Sequence, residues 1–411
     1  MDAPPFRSEA ASGNDISAGT NKTDPKIAVT NIPKKPACSP TTLEIISGGK
    51  NPSKNPINII MKIGIIGAGL IGRKRAEAIS AEKNDEINVI CDIEIEKAQV
   101  LAGLFGGCPA SDWRTVIGDP RIEAVVVATP NHLLCEITIA ALESGKHVLC
   151  EKPLGRNAAE AESMCQTAKK AGRVLKTGFN HRHHPAVWKA KELAGDGEIG
   201  ELYFARCVYG HGGRPGFEKE WRANKSLSGG GELLDQGVHV ADLFRWFLGE
   251  FDEAFGQIET FHWKMDVEDN AFAIFRTAEK RVAQMQTSWT QWRNRFSFEI
   301  FGEKGYLAVE GLGGSYGTEK LIIGKRKFDA QVEDLRTGRS PVFLGGAPDE
   351  KTFEFDGLDL SWREEWKEFV SAVRENRDPI GSGYDGLMAN RMIEAVYESA
   401  RLNRPVKIQT G

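Results

Sequence analysis

Residues 67–72 read Gly-Ala-Gly-Leu-Ile-Gly, and the residues on either side of them restrict the fold more than any other segment. Lys62-Ile63-Gly64-Ile65-Ile66 is a short apolar run of strand type, and the stretch through Ala76, Ala78 and Ile79 reads as helix. A G-x-G-x-x-G alone is a weak signal, but strand before and helix after is the context a dinucleotide site requires. Gly67 is expected to make the tight turn, Gly69 to let the backbone approach a pyrophosphate, and Gly72 to let helix and strand pack closely. Leu70 and Ile71 open the helix, whose N-terminal N–H groups and dipole favour an anion.

The pattern continues. Ile87–Cys91 reads as a second strand ending at Asp92, placed to accept hydrogen bonds from the adenosine ribose hydroxyls. Its charge, with Glu94 and Glu96 nearby, would repel a 2′-phosphate, so NAD is expected over NADP. NADP is the alternative if Arg73-Lys74-Arg75 face a phosphate; otherwise these three are solvated helix charges. Ala124–Ala128 is an uninterrupted apolar run, as in a buried parallel strand, and ends in Thr129-Pro130-Asn131. A helix from Cys135 to Ser144 follows, with Gly145 just past its end. The strand His147–Cys150 then ends in Glu151-Lys152-Pro153. Ligands of open α/β sheets bind beyond the carboxyl ends of the strands. Gly67, Gly69, Leu70, Ile71, Gly72, Asp92, Thr129, Asn131 and Glu151 are therefore the expected cofactor-binding residues.

Several separated motifs together resemble the glucose–fructose oxidoreductase / inositol dehydrogenase (Gfo/Idh/MocA) family. They are G-A-G-L-I-G, A-T-P-N, H-V-L-C-E-K-P-L, G-F-N-x-R-x-x-P (Gly178 to Pro185), Trp221-Arg222 and G-G-G-x-L-L-D-x-G-V-H-x-x-D. The likeness runs from about Met61 to the C-terminus. It implies a nicotinamide-dependent oxidoreductase acting on a sugar or cyclitol. It also implies an open antiparallel sheet as second domain and a homo-oligomer, dimer or tetramer, packed through that sheet. The family commonly shows T-P-N-x-x-H, whereas here Leu134 stands third after Asn131 and a histidine stands at 132. His183 replaces a frequent aromatic.

From Leu202 the periodicity changes to two. Phe272 and Ile274 alternate with Ala271, Ala273 and Phe275, and Phe296, Phe298 and Ile300 with Ser297, Glu299 and Phe301. Such runs predict half-buried antiparallel strands. Ser361-Trp362-Arg363-Glu364 predicts a capping box, followed by an apolar stripe through Trp362, Trp366, Phe369, Val370 and Val373. Lys325–Glu350 reads as an excursion on the sheet. The expected layout is a disordered leader over 1–60, a Rossmann α/β domain over 61–178, and an α+β domain with a large, mainly antiparallel open sheet over 179–411. The leader assignment rests on a Pro-, Ser-, Thr-, Asn- and Gly-rich composition that buries too little surface to order itself.

Oxidising an alcohol needs a hydride acceptor, a base for the hydroxyl proton and a cation or donor for the developing alkoxide. His239 is the candidate base, because imidazole titrates near neutrality. Lys152, at a strand end facing the cofactor, is the candidate electrophile. On an ideal helix Asp235, His239, Asp242 and Trp246 fall within about 60° of one another. Asp235 is then placed to orient the imidazole or bind a substrate hydroxyl, and Asp242 to pair inside the protein. The family's D-x-x-x-H implies the same roles for Asp235 and His239. Asn180, Trp221 and Arg222 are candidate substrate residues, with Asn180 and Arg182 otherwise packing the joint between the domains. His181-Arg182-His183-His184 lacks ligand spacing, so no metal is expected.

A net charge of −4 gives no reason to expect nucleic acid or a membrane surface as partner. Seven scattered cysteines without a C-x-x-C pair argue against a disulfide framework and fit a cytoplasmic protein. Two other functions use the same motifs: glycoside or elimination chemistry that recycles NAD, and a non-catalytic cofactor-sensing binder.

Overall fold

The computed structural model describes residues 60–326 and 348–409. The expected leader therefore falls outside the described residues, apart from Ile60, as does most of Lys325–Glu350.

Six parallel strands form the first sheet: β1 (Met61–Ile66), β2 (Asp85–Cys91), β3 (Cys108–Ala110), β4 (Ala124–Val127), β5 (His147–Cys150) and β6 (Leu175–Thr177). Their order is β3-β2-β1-β4-β5-β6, so the winding reverses between β1 and β4. That reversal opens the crevice in which doubly wound sheets bind dinucleotides. All four residues of β4 are buried, as its apolar run requires. The helices are α1 (Leu70–Ser80), α2 (Ile95–Phe105), α3 (Trp113–Gly118), α4 (Asn131–Glu143) and α5 (Ala158–Ala171). Helix α4 begins at Asn131, four residues earlier than its apolar pattern suggests.

After α6 (Pro185–Gly195) the second sheet begins with β7 (Leu202–Gly210). The short α7 (Lys225–Ser228) and α8 (Glu232–Asp235) lead into α9 (Gly237–Leu248). The sheet continues with β8 (Glu253–Glu259), β9 (Asn270–Arg276), β10 (Val282–Ser288), β11 (Arg295–Gly302), β12 (Gly305–Glu310), β13 (Glu319–Lys325), β14 (Asp349–Phe355) and β15 (Val406–Lys407). Its order is β14-β13-β12-β11-β7-β10-β9-β8-β15. It is antiparallel except where β7 runs alongside β10. One face carries Ala271, Ala273, Phe275, Phe296, Phe298 and Ile300 into a core shared with Val240, Phe244 and Phe247 of α9. The other face leaves Phe204, Phe255, Phe272, Ile274 and Val282 exposed. β14 pairs with β13, so the end of the expected excursion is an edge strand of the sheet.

Two helices close the chain, α10 (Ser361–Glu375) and α11 (Gly383–Leu402). The expected capping box at Ser361 does not form. Ser361 lies inside α10, its hydroxyl donates to Asp359 and accepts from the Asn180 amide. The box stands instead at Ser382 and Asp385, opening α11. Trp366, Phe369 and Val370 of α10 pack into the core of the first sheet, with Ile63, Ala76 and Ile79. Helix α10 thus follows the second sheet in sequence yet completes the first domain in space, so residues 179–411 are not one separate body.

Among the described cysteines Cys91, Cys135, Cys150, Cys165 and Cys207 are free thiols, and Cys108 is disulfide-bonded. No described helix is long and apolar enough to cross a membrane.

Candidate active site

The glycine loop has the three properties the motif demands. Gly67 takes φ +104°, and a Cβ there would meet the Ala128 carbonyl oxygen at 2.3 Å. A Cβ on Gly72 would meet the Gly67 carbonyl oxygen at 1.8 Å. Around Gly69, by contrast, such a Cβ would meet nothing within 4 Å beyond its own chain neighbours, so that position faces open space. Gly69 caps α1, whose first N–H groups belong to Leu70, Ile71 and Gly72, and Leu70 is 74% exposed. The Asp92 carboxylate accepts from the N–H groups of Ala68 (2.7 Å) and Glu94 (3.0 Å), fixing the end of β2 to the loop. The buried Thr129 hydroxyl has no partner in the protein. A cradle open only at Gly69, free helix N–H groups and an orphaned hydroxyl fit a dinucleotide.

The basic run behind the loop divides. Arg73 is exposed and pairs with Glu77 at 3.0 Å, a solvated helix charge as expected. Arg75 corrects that reading: it is wholly buried between Glu151 (2.6 Å) and Glu365 (2.5 Å). Burial alone would lower the pKa of Arg75, but the two carboxylates outweigh it and raise it. Arg75 is therefore withdrawn from any 2′-phosphate, and the Glu151 carboxylate is committed to this pair. Asn131 is likewise engaged, donating to the Ser228 carbonyl of α7 at 2.8 Å.

Beyond β5, the Lys152 ammonium donates to the Asp235 carboxylate at 2.7 Å and to its carbonyl oxygen at 2.6 Å. Arg222 approaches the other Asp235 oxygen at 3.6 Å and lies over the Trp221 ring at 4.5 Å. Burial pushes the Asp235 carboxyl up, but Lys152 and Arg222 overcome it and hold the pKa at about 2. Asp235 and His239 do not share one continuous helix. Asp235 ends α8, Gln236 breaks the run, and His239 stands in the first turn of α9. The His239 ring stacks on His181 at 3.8 Å, and its Nδ1 has no partner. Burial, reinforced by Lys152, keeps its pKa well below the ordinary imidazole value. Its imidazole is neutral and lies near the Lys152 ammonium.

Asn180 is not directed at this centre: its amide donates to Ser361 and its oxygen faces His181, the joint-packing alternative. Asp242 pairs with Arg182 at 2.8 and 2.5 Å, as an internal ion pair should. The glycines at 229–231 serve packing. A Cβ on Gly229 would strike the Arg156 carbonyl oxygen, one on Gly230 the Tyr397 hydroxyl, and one on Gly231 the Glu268 carbonyl oxygen. His181 touches His239 and Arg75 braces Glu151, yet neither was distinguishable from a loop or surface charge by spacing. Among the described residues no group of three or more ligating side chains could hold a metal.

Comparison with known proteins gives the family. Residues 61–179 match the oxidoreductase family with an NAD-binding Rossmann fold, and residues 187–308 match the GFO/IDH/MocA C-terminal domain. A levoglucosan dehydrogenase of Pseudarthrobacter phenanthrenivorans is 30% identical over 382 residues, covering 83% of this chain and 96% of its own. The chain belongs to the Gfo/Idh/MocA oxidoreductase family. A myo-inositol 2-dehydrogenase of Thermotoga maritima is 27% identical over 359 residues, 85% of this chain and 99% of its own. A levoglucosan dehydrogenase solved in complex with NADH and levoglucosan superposes with a TM-score of 0.76 at 27% identity, covering 85% of this chain and all of the other. This family member is a nicotinamide-dependent oxidoreductase, and NAD is the cofactor its first domain takes.

Proposed function

We propose that the protein oxidises a secondary hydroxyl of a sugar, sugar derivative or inositol, with Lys152 as electrophile, His239 as base and Asp235 holding Lys152 in place. The observation that carries this reading is the double contact from Lys152 to Asp235. It joins the cofactor sheet to the turn that leads into His239. A fixed ammonium stabilises an alkoxide as it develops, because it needs no reorganisation when the charge appears. A neutral imidazole is the protonation state that can accept the hydroxyl proton. Asp235, ionised and shared with Arg222, keeps the ammonium oriented. Gly69, the N–H groups of Leu70 to Gly72, Asp92 and Thr129 would hold the dinucleotide, with Asn131 and Glu151 bracing the strand ends around it. When bound, NAD supplies the hydride acceptor. Arg222, exposed on one edge over Trp221, would meet the substrate's polar groups. Relatives named for levoglucosan and myo-inositol support a polyhydroxylated ring as substrate.

A screen of sugars, inositols and nucleotide sugars with NAD and NADP in parallel, followed as NADH absorbance, tests the reading. Turnover that needs both Lys152 and His239 is the expected result; turnover indifferent to both, or dependent on NADP alone, would overturn it. The exposed apolar side chains on the uncovered face of the second sheet support assembly of identical chains through that face. Five free thiols among the described residues support a cytoplasmic location, and the disulfide at Cys108 speaks against it.

A further inference from the structure

Glu232 stands three residues before Asp235 in the same helical turn, α8. It is fully buried, no side chain hydrogen-bonds to either carboxylate oxygen, and the main chain of Ser288 is its one hydrogen-bonding neighbour. One main-chain contact does not replace the hydration a buried charge forfeits, so such a group is held neutral. The groups facing it come from six places. They are Asp235 on its own turn, Lys152 beyond β5, Glu268 before β9, Tyr209 on β7, Tyr316 before β13 and the main chain of Ser288 on β10. Lys152, the cation in this set, is already engaged with Asp235. Glu268 is satisfied elsewhere, by the N–H groups of Gly231 and Leu233 and the Tyr397 hydroxyl. Burial raises the Glu232 pKa well above the usual carboxylate range, and the charge of Asp235 adds to the rise. Asp235, one turn on, is driven the opposite way. Two neighbouring carboxyls forced into opposite protonation states are a recurring mark of enzyme acid–base centres.

We propose that Glu232 is a positioning residue of the catalytic centre, a neutral carboxylic acid that leaves Lys152, Asp235 and Arg222 with a net positive charge toward the substrate oxygen. The inference rests on the catalytic reading above. Ionisation of Glu232 releases one proton to solvent and brings the four groups to zero net charge. The field that stabilises the oxyanion is then lost. Glu232 thereby sets how far into alkaline pH the site keeps its charge.

Two variants of the full chain test this, Glu232→Gln and Glu232→Met, with NAD binding as the check that the fold survives. Difference infrared spectra of wild type against Glu232→Gln at neutral pH should show a protonated carboxylic acid band in the wild type alone. Its absence would overturn the proposal. Glu232→Met should raise the melting temperature, because it removes an unpaired buried polar group; a fall in both variants would show a paired carboxylate instead. The alkaline limb of kcat/KM should extend to higher pH in Glu232→Gln, which has no carboxyl to ionise. Identical limbs in wild type and Glu232→Gln would overturn the coupling to the site. A wild type that turns over no sugar or polyol would refute the proposed reaction alone, since the spectra and melting need no substrate.

Discussion

Lys152→Ala and His239→Ala should each lower kcat/KM by about 10²–10⁴, the usual span for a positioned acid–base group. Initial rates of NADH formation measure this, and losses below tenfold in both would remove the pair from the chemistry. A neighbouring histidine gives a separate test that avoids the reaction. His183 is buried against Trp188, its Nε2 lacks a partner, and burial with Lys176 and Arg182 holds its pKa well below the ordinary value. Native His183 stays neutral while the unfolded chain protonates near pH 6.5. Its stability contribution is therefore complete above that pH and lost as pH falls below it. His183→Phe keeps the stacking and removes the linkage. Its stability relative to wild type should improve by about 1.4 kcal/mol per pH unit below 6.5. Denaturant melts at pH 8 and pH 5.5 would show this, and an equal difference at both would contradict it. Lys152, Asp235 and His239 stand out in the sequence as candidates because each sits beside a local marker, a strand end or a glycine-flanked turn. Arg75 does not. Its burial depends on Glu151 and Glu365, 76 and 290 residues away, and no local spacing encodes a partner at that distance.

The glycine loop makes opposite predictions for two of its members. Gly69→Ala places a methyl in open space, so the fold and melting temperature should survive while NAD affinity drops. Gly72→Ala drives the same methyl into the Gly67 carbonyl, so the loop itself must shift and the melting temperature should fall. Calorimetric NAD titration beside thermal melts separates the two; equal melting losses would mean that both glycines serve packing alone. The strands were readable at this scale because burial on both faces, or on one, leaves a direct imprint on apolar periodicity. The first turn of α10 was not. Ser361-x-x-Glu364 has the capping pattern, but Asp359 and Asn180 claim the serine hydroxyl first. The glycines at 229–231 serve packing against Arg156, Tyr397 and Glu268, contacts that only the folded chain brings together.

Across the described residues, one face of the second sheet leaves apolar side chains exposed. Phe272 is 39% and Ile274 48% exposed at adjacent outward positions of β9, with Phe255 and Val282 on the neighbouring strands. On the proposed assembly through this face, Phe272→Asp combined with Ile274→Asp should lower the mass seen by light scattering to that of a folded monomer, and an unchanged mass would contradict that assembly. Helix α10 has a different consequence. Trp366, Phe369 and Val370 reach the first domain from the far end of the chain and cover Ala76 and Ile79. The cofactor-binding half is therefore not portable as a contiguous block. A graft of residues 61–178 into another enzyme would carry a bare apolar strip along α1, and only a design that brings 361–375 with it would travel intact.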